Sequence, residues 1–172
     1  MIGESVSGML KTPSPAMDVE QLYRDCRLTL TSYFARRHGS AHSAEDLLQE
    51  TFLRLMRRID RCRDAASPRG YLFGIARHVS ADAWRRWQPT ASGEDALESI
   101  AAPAADQRLY QAREIIAALP LLQREILDLR FQHDLSYAEI AEALEIPVGT
   151  VRSRLHGALE ILREKLNEDN LT

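Results

Sequence analysis

The chain has 172 residues, 45% apolar and 27% charged, with a formal net charge of −3. This is ordinary globular usage and excludes collagen-like, mucin-like and wholly disordered chains. No apolar run approaches the ~18–20 residues that cross a bilayer, and Met1 to Ala16 lack a basic segment followed by an apolar stretch. Neither membrane insertion nor secretion is expected, and the expected location is cytoplasmic.

Two cysteines, Cys26 and Cys62, cannot build a disulfide scaffold, and no Cys/His spacing reads as a zinc site. The expectation is no metal, no cofactor and no small-molecule substrate. The net charge hides an asymmetry. Residues 1–89 carry 14 Arg/Lys against 10 Asp/Glu, whereas residues 119–172 carry 6 against 10. Residues 54–86 alone hold nine Arg and three Asp. Such a basic stretch suggests a polyanion partner, the plain alternative being a solvated helix face.

In chain order, residues 1–17, with Gly3, Gly8, Pro13 and Pro15, read as a flexible tail. From Asp18 to about Arg37, Val19, Leu22, Tyr23, Cys26, Leu30, Tyr33 and Phe34 form a helical stripe. Asp18 is the expected N-cap with Gln21 as capping-box partner, and Gly39 the stop. A second helix is expected from Ser43, with a stripe Ala44, Leu47, Leu48, Phe52, Leu55, Met56, Ile59 and with Arg54, Arg58 and Arg61 on another face. A turn at Arg63 to Ala66 follows. Ser67-Pro68 then supplies an N-cap and a first-turn proline for a third helix to about Trp87, with Leu72, Ile75, Ala76, Val79 and Ala83 inward. Residues 89–107 are rich in small, acidic and turn-forming types and read as a linker. Helices are expected at 108–118, 120–132, 136–144 and 148–167, with residues 168–172 a C-terminal tail. Strand-like alternation is absent. The predicted fold is all-α: two small helical domains, 18–88 and 108–167, joined by a flexible linker.

The strongest local signal runs from Leu135 to Leu166. Ser136 and Glu139 form a capping box, Ile140, Ala141 and Leu144 a short apolar face, and Glu145 to Gly149 a tight turn. A further helix then carries Val151, Leu155, Ala158, Leu159, Leu162 and Leu166 inward. Two helices joined by so short a turn describe a helix-turn-helix, whose second helix reads the DNA major groove with its N-terminal residues. Thr150, Arg152, Ser153, Arg154 and His156 are the candidates, Arg152 the best for a base edge. The plain alternative is a helical hairpin with solvated arginines. No acid lies between Val148 and Leu159; Glu125, Asp128, Asp134, Glu139, Glu142 and Glu145 sit on the other helices of this part.

Together these features resemble the extracytoplasmic-function (ECF) sigma factors of bacterial RNA polymerase. The first part resembles sigma region 2 through Ala44-Glu45-Asp46-Leu47-Leu48-Gln49-Glu50-Thr51-Phe52-Leu53-Arg54, Tyr71 to His78, and Asp82-Ala83-Trp84-Arg85-Arg86. The second resembles sigma region 4 through Leu119-Pro120, Gln123 to Leu127, Leu135 to Ala141 and Pro147 to Leu155. A sigma region 3 between them is absent.

The resemblance implies a non-enzymatic factor that binds core RNA polymerase and directs it to promoter DNA. Region 2 would dock on the polymerase clamp and open the −10 element; region 4 would read the −35 element as duplex. Asp46, Gln49 and Glu50 share a helix face and are the polymerase-docking candidates. Arg61, Tyr71, Arg77, His78, Trp84, Arg85 and Arg86 are the −10 candidates, the aromatics to stack on bases and the arginines to hold phosphate. Asp82 is expected in an ion pair with Arg85 or Arg86, and the loop Asp60 to Ser67 is expected to supply a pocket for a flipped base. Many relatives carry Asn where His78 stands. The family also implies an anti-sigma factor as partner. A stand-alone helix-turn-helix regulator is the rival reading; it accounts for residues 119–167 but not for the Asp46/Gln49/Glu50 face or the basic third helix.

Overall fold

The computed structural model describes residues 18–39, 41–87 and 107–168. They form eight helices: α1 Val19–His38, α2 Ala41–Met56, α3 Ile59–Asp64, α4 Pro68–Trp87, α5 Gln107–Ala118, α6 Leu121–Phe131, α7 Tyr137–Leu144 and α8 Val148–Glu168. The all-helical expectation is borne out. The expected tail at 1–17 and most of the expected linker and C-terminal tail lie outside the described residues; Gln107 and Glu168 are helical.

Helix α1 starts where the sequence puts it. Asp18 Oδ1 accepts from the backbone N–H groups of Glu20 and Gln21 at 2.9 and 3.2 Å. Gln21 does not complete a capping box; its amide instead donates to Asp25 at 2.8 Å, one turn on. Gly39 ends the helix at φ +68°, its N–H returning to Ala35 O at 2.9 Å. The left-handed conformation there suits a residue without Cβ.

The second expected helix divides in two. It stops at Met56, where the Arg58 N–H reaches Leu55 O at 2.8 Å, a tightened last turn. The short α3 then takes up half of the expected turn and most of the expected pocket loop. This break turns Cys62 into the core, fully buried, with Sγ 3.8 Å from Pro68 O. It also separates Arg54 from Arg58 and Arg61, so these three do not share one helix face. Met56, expected inward, is 56% exposed. Ser67 caps α4 as expected, its Oγ accepting from the Gly70 N–H at 3.0 Å.

Helices α1, α2 and α4 bury Leu30, Tyr33, Phe34, Ala44, Leu48, Leu55, Leu72, Phe73, Ala76 and Val79 against one another. Helices α6, α7 and α8 bury Ile126, Leu129, Ile140, Ala141, Leu144, Val151, Leu155 and Ala158, with Leu135 beneath the α6–α7 turn. Each large apolar side chain so removed from water contributes about 1.5–3 kcal/mol. The two sets do not stand apart. They form one continuous core, because α7 lies directly on α4.

That crossing depends on two glycines one turn apart on α4. A Cβ at Gly70 would lie 2.6 Å from Glu139 O and 2.8 Å from Glu142 Cβ; one at Gly74 would lie 3.3 Å from Ala143 O. A close helix approach therefore falls between the two bundles.

Candidate nucleic-acid interface

The helix-turn-helix forms as its capping signals require. Ser136 Oγ accepts from the Glu139 N–H at 3.3 Å, and Glu139 Oε2 accepts from the Ser136 N–H at 2.7 Å. Burial pushes the Glu139 carboxyl up, but the hydrogen bonds from Ser136 and the charge of Arg69 hold it below the usual range. Glu145 takes a left-handed turn at φ +55°, and the Ile146 N–H closes on Ala141 O at 3.0 Å. A non-glycine residue there costs roughly 1–2 kcal/mol. The turn aims α8 so that Val151 and Leu155 are buried while Arg152, Ser153, Arg154 and His156 face outward, with Thr150 half-buried.

These outward groups differ in what they can offer. The Arg152 guanidinium lies 6.0 Å from the Tyr137 ring centroid, a cation–π contact linking both helices of the motif. Ser153 donates its hydroxyl proton to Thr150 O at 3.1 Å, so toward a base edge it acts as an acceptor. His156 Nε2 is 3.2 Å from Glu160 one turn below.

On the first bundle the three expected docking residues separate. Asp46 and Gln49 are exposed, in register with the exposed Leu53 and Met56. Glu50 is half-buried and accepts from Arg54 Nε at 2.7 Å. Arg54 also donates from Nη1 to Asp82 Oδ2 at 2.7 Å, tying α2 to α4. Asp82 takes Arg85 on its other oxygen, and its backbone oxygen accepts from Arg86 Nε at 3.3 Å. The Arg54 hydrogen bond, more than the Arg85 charge, holds the Asp82 carboxyl below its usual range. The expected Asp82–Arg85 ion pair is present. Arg54 is its unexpected centre: the Glu50–Arg54 spacing of four residues was legible, but nothing local pointed 28 residues on to Asp82.

The other −10 candidates have distinct surroundings. His78 and Arg61 are exposed and Tyr71 is half-buried. Trp84 is half-buried, its ring 5.3 Å from that of His38, whose Nε2 lies 2.9 Å from Ser80 Oγ. Arg77 leaves its own bundle altogether: its Nε donates to Glu125 on α6 at 2.9 Å. Burial pushes the Cys62 thiol up to about 11 and raises that of Cys26, so neither is poised as a thiolate. No helix of the described residues is long and apolar enough to cross a membrane, and they hold no cluster of three metal-ligating side chains.

Residues 22–89 match the family model "Sigma-70 region 2" and residues 109–162 match "Sigma-70, region 4". The chain is 39% identical over 136 residues to the ECF RNA polymerase sigma factor SigC of Mycobacterium tuberculosis, covering 76% of this chain and 74% of that protein. It is 30% identical over 168 residues to the ECF RNA polymerase sigma factor SigW of Bacillus subtilis, covering 88% of each. Among solved structures, it shares its fold with the complex of sigma factor RpoE and anti-sigma factor NepR from Bartonella quintana. The TM-score is 0.54 at 20% identity, over 86% of this chain and 98% of that one. CnrH in complex with the cytosolic domain of CnrY gives a TM-score of 0.55 at 24% identity, over 87% and 88%. With both sigma regions matched in order, and relatives at these identities over most of their length, the chain belongs to the ECF sigma factor family of bacterial RNA polymerase.

Proposed function

We infer that this chain is a promoter-recognising initiation factor that acts in the cytoplasm, binds core RNA polymerase, and leaves nucleotide chemistry to that enzyme. The observation that carries this reading is two reading surfaces of different character in one chain. One is the outward N-terminal face of α8. The other is the basic end of α4, where Arg85 and Arg86 are exposed yet anchored on Asp82.

We assign residues 18–88 to the polymerase- and −10-binding domain and 108–167 to the −35-binding domain. Arg152 is a bidentate donor for a guanine edge, and Thr150, Ser153, Arg154 and His156 supply phosphate or secondary base contacts. Arg85 and Arg86 hold backbone phosphate, and Tyr71, His78 and Trp84 supply ring faces for opened bases, with Arg61 and Arg77 as further cations. Asp46 and Gln49, with Leu53 and Met56 alongside, form the docking face for a basic, partly apolar polymerase helix. Glu50 contributes to that face indirectly, through Arg54. An anti-sigma factor is the expected regulator, since the structures sharing this fold include complexes with such proteins.

In vitro transcription with core polymerase on a promoter library tests the reading. Initiation from a defined class of promoters is expected. A purified chain that neither joins core polymerase nor selects a start site would refute it, and DNA binding without polymerase would favour the stand-alone regulator.

A further inference from the structure

We propose that Glu160 is a positioning residue for base reading: by accepting the Nε2–H of His156 it leaves Nδ1 as a hydrogen-bond acceptor toward the DNA, so that α8 selects an exocyclic amino group, on adenine or cytosine, beside the base read by Arg152. The proposal rests on the assignment of α8 to −35 DNA and names the class of base that its outer face takes.

The first observation is placement. Gly149, Arg152, Ser153, His156 and Glu160 are exposed, whereas Val151, Leu155 and Ala158 are buried. At about 3.6 residues per turn, the exposed five lie within an arc of about 100° and form one stripe. A Cβ at Gly149 would meet nothing within 4 Å, so no packing among the described residues calls for glycine there. Its φ is not positive, so no turn calls for one either. A glycine inside a helix costs roughly 1 kcal/mol against alanine. Close approach of a DNA backbone from outside accounts for it, and places the start of the stripe against the DNA.

Reach separates the roles of His156 and Glu160. Counted from Gly149 at ~1.5 Å per residue, His156 lies about 10 Å along the axis and Glu160 about 16 Å. The major groove is about 12 Å wide. His156 therefore falls within it, and Glu160 lies at the rim beside phosphate. A carboxylate there acts through a neighbour, and His156 is that neighbour: its Nε2 is 3.2 Å from Glu160 Oε1. With 73% and 54% of the two side chains exposed, the pair adds little to stability. Its consequence is the direction of the imidazole.

The chemistry follows from the donor count. A neutral imidazole has one N–H and one lone-pair nitrogen. A carboxylate only accepts, so it fixes the proton on Nε2 and leaves the lone pair on Nδ1. Ser153 is an acceptor for the same reason, its own proton going to Thr150 O at 3.1 Å. The stripe thus presents donors at Arg152 and acceptors at Ser153 and His156. In the major groove adenine N6 and cytosine N4 are amino donors, while guanine and thymine offer no donor. An acceptor at His156 pairs with the first two bases and sets lone pair against lone pair at the others.

The test is in vitro transcription by the full chain with core polymerase, from a library randomised at each −35 position, at about pH 8, above the ordinary imidazole range. At one position the wild-type chain is expected to favour adenine or cytosine about fivefold, the size of one hydrogen bond. His156→Ala is expected to abolish that preference and to leave the guanine preference of Arg152. Glu160→Gln keeps an acceptor for the Nε2–H and is expected to keep the preference. Glu160→Lys offers Nε2 a donor, moves the imidazole proton to Nδ1, and is expected to invert the preference toward guanine or thymine. A long-range proton–nitrogen correlation spectrum, with the His156 signal identified by its loss in His156→Ala, reads the proton position in each chain. An unchanged preference in Glu160→Lys would overturn the proposal, as would a wild-type preference for guanine or thymine that His156→Ala removes. In either case promoter selection persists and the sigma-factor reading stands. A wild-type chain that selects no promoter overturns both.

Discussion

Arg77 on α4 and Glu125 on α6 face each other at 2.9 Å across the boundary between the two bundles. The side chains are 48 residues apart in sequence and belong to stretches of opposite net charge. An asymmetry that suggested an external polyanion is thus partly neutralised inside the chain.

The recognition helix allows a sharp test of base reading. Arg152→Ala is expected to cost roughly 1–3 kcal/mol on the cognate −35 duplex and to relax preference at one base position. Arg154→Ala is expected to weaken cognate and random duplex alike and to reduce the salt slope. Fluorescence anisotropy across a salt series, on both duplexes, checks this; equal losses for Arg152→Ala would reassign it to phosphate.

Docking on polymerase should follow the exposed groups of α2. Asp46→Lys combined with Gln49→Lys is expected to weaken core-polymerase binding at least tenfold while circular dichroism and melting stay unchanged. Wild-type affinity in a pull-down titration would remove these residues from the interface.

Arg54 should matter through two carboxylates rather than through DNA. Lysine cannot donate in two directions from a planar fork, so Arg54→Lys loses the Glu50 or the Asp82 bond. The expected loss is about 0.5–1.5 kcal/mol of stability, small because the cluster is partly solvated. Weaker binding of opened −10 strand is expected too, as Asp82, on which Arg85 is anchored, loses its tie to α2. Urea unfolding and a strand-binding titration check the two effects separately.

Helix-turn-helix stability depends on its cap. Ser136→Ala removes the Oγ acceptor for the Glu139 N–H and should cost about 1 kcal/mol. Ile126→Ala, at a fully buried site on α6, should cost about 2–5 kcal/mol. Chemical denaturation of each variant gives the comparison.

Stability should fall with acid in two stages. Burial, with help from Arg37, holds the His38 imidazole below its ordinary 6.5, so the unfolded chain takes that proton first and stability declines as pH drops below about 6.5. The Asp82 and Glu139 carboxyls are held below their ordinary values. Asp128 is raised by burial but lowered further by His133 and Arg37. Their contributions are present above about pH 4 and vanish as pH falls through the folded values. Melting temperature against pH should show both declines, and His38→Gln should flatten only the first.

The helices, their caps and the helix-turn-helix were legible because their signals are local. Asp18, Gly39, Ser67 and Ser136 each act within four residues, and apolar spacing along one helix follows from its period. The break after Met56 was not legible, because the stripe runs on through Ile59 in sequence; burial of Cys62 against Pro68 decides it. The reading face of α8 could be listed from its own sequence. The division of Asp46 and Gln49 from Glu50 could not, since Arg54 is held between Glu50 and a carboxylate 28 residues away.

The amino-acid order alone determined an all-helical chain, most of its helix caps, and which segments resemble the two sigma regions. Only the tertiary structure decided that α7 lies in the groove of Gly70 and Gly74, and that Arg77 faces Glu125 rather than solvent. The physical reason is range: capping and periodicity act over a few residues along the chain, whereas close packing and ion pairing act over a few ångströms in space.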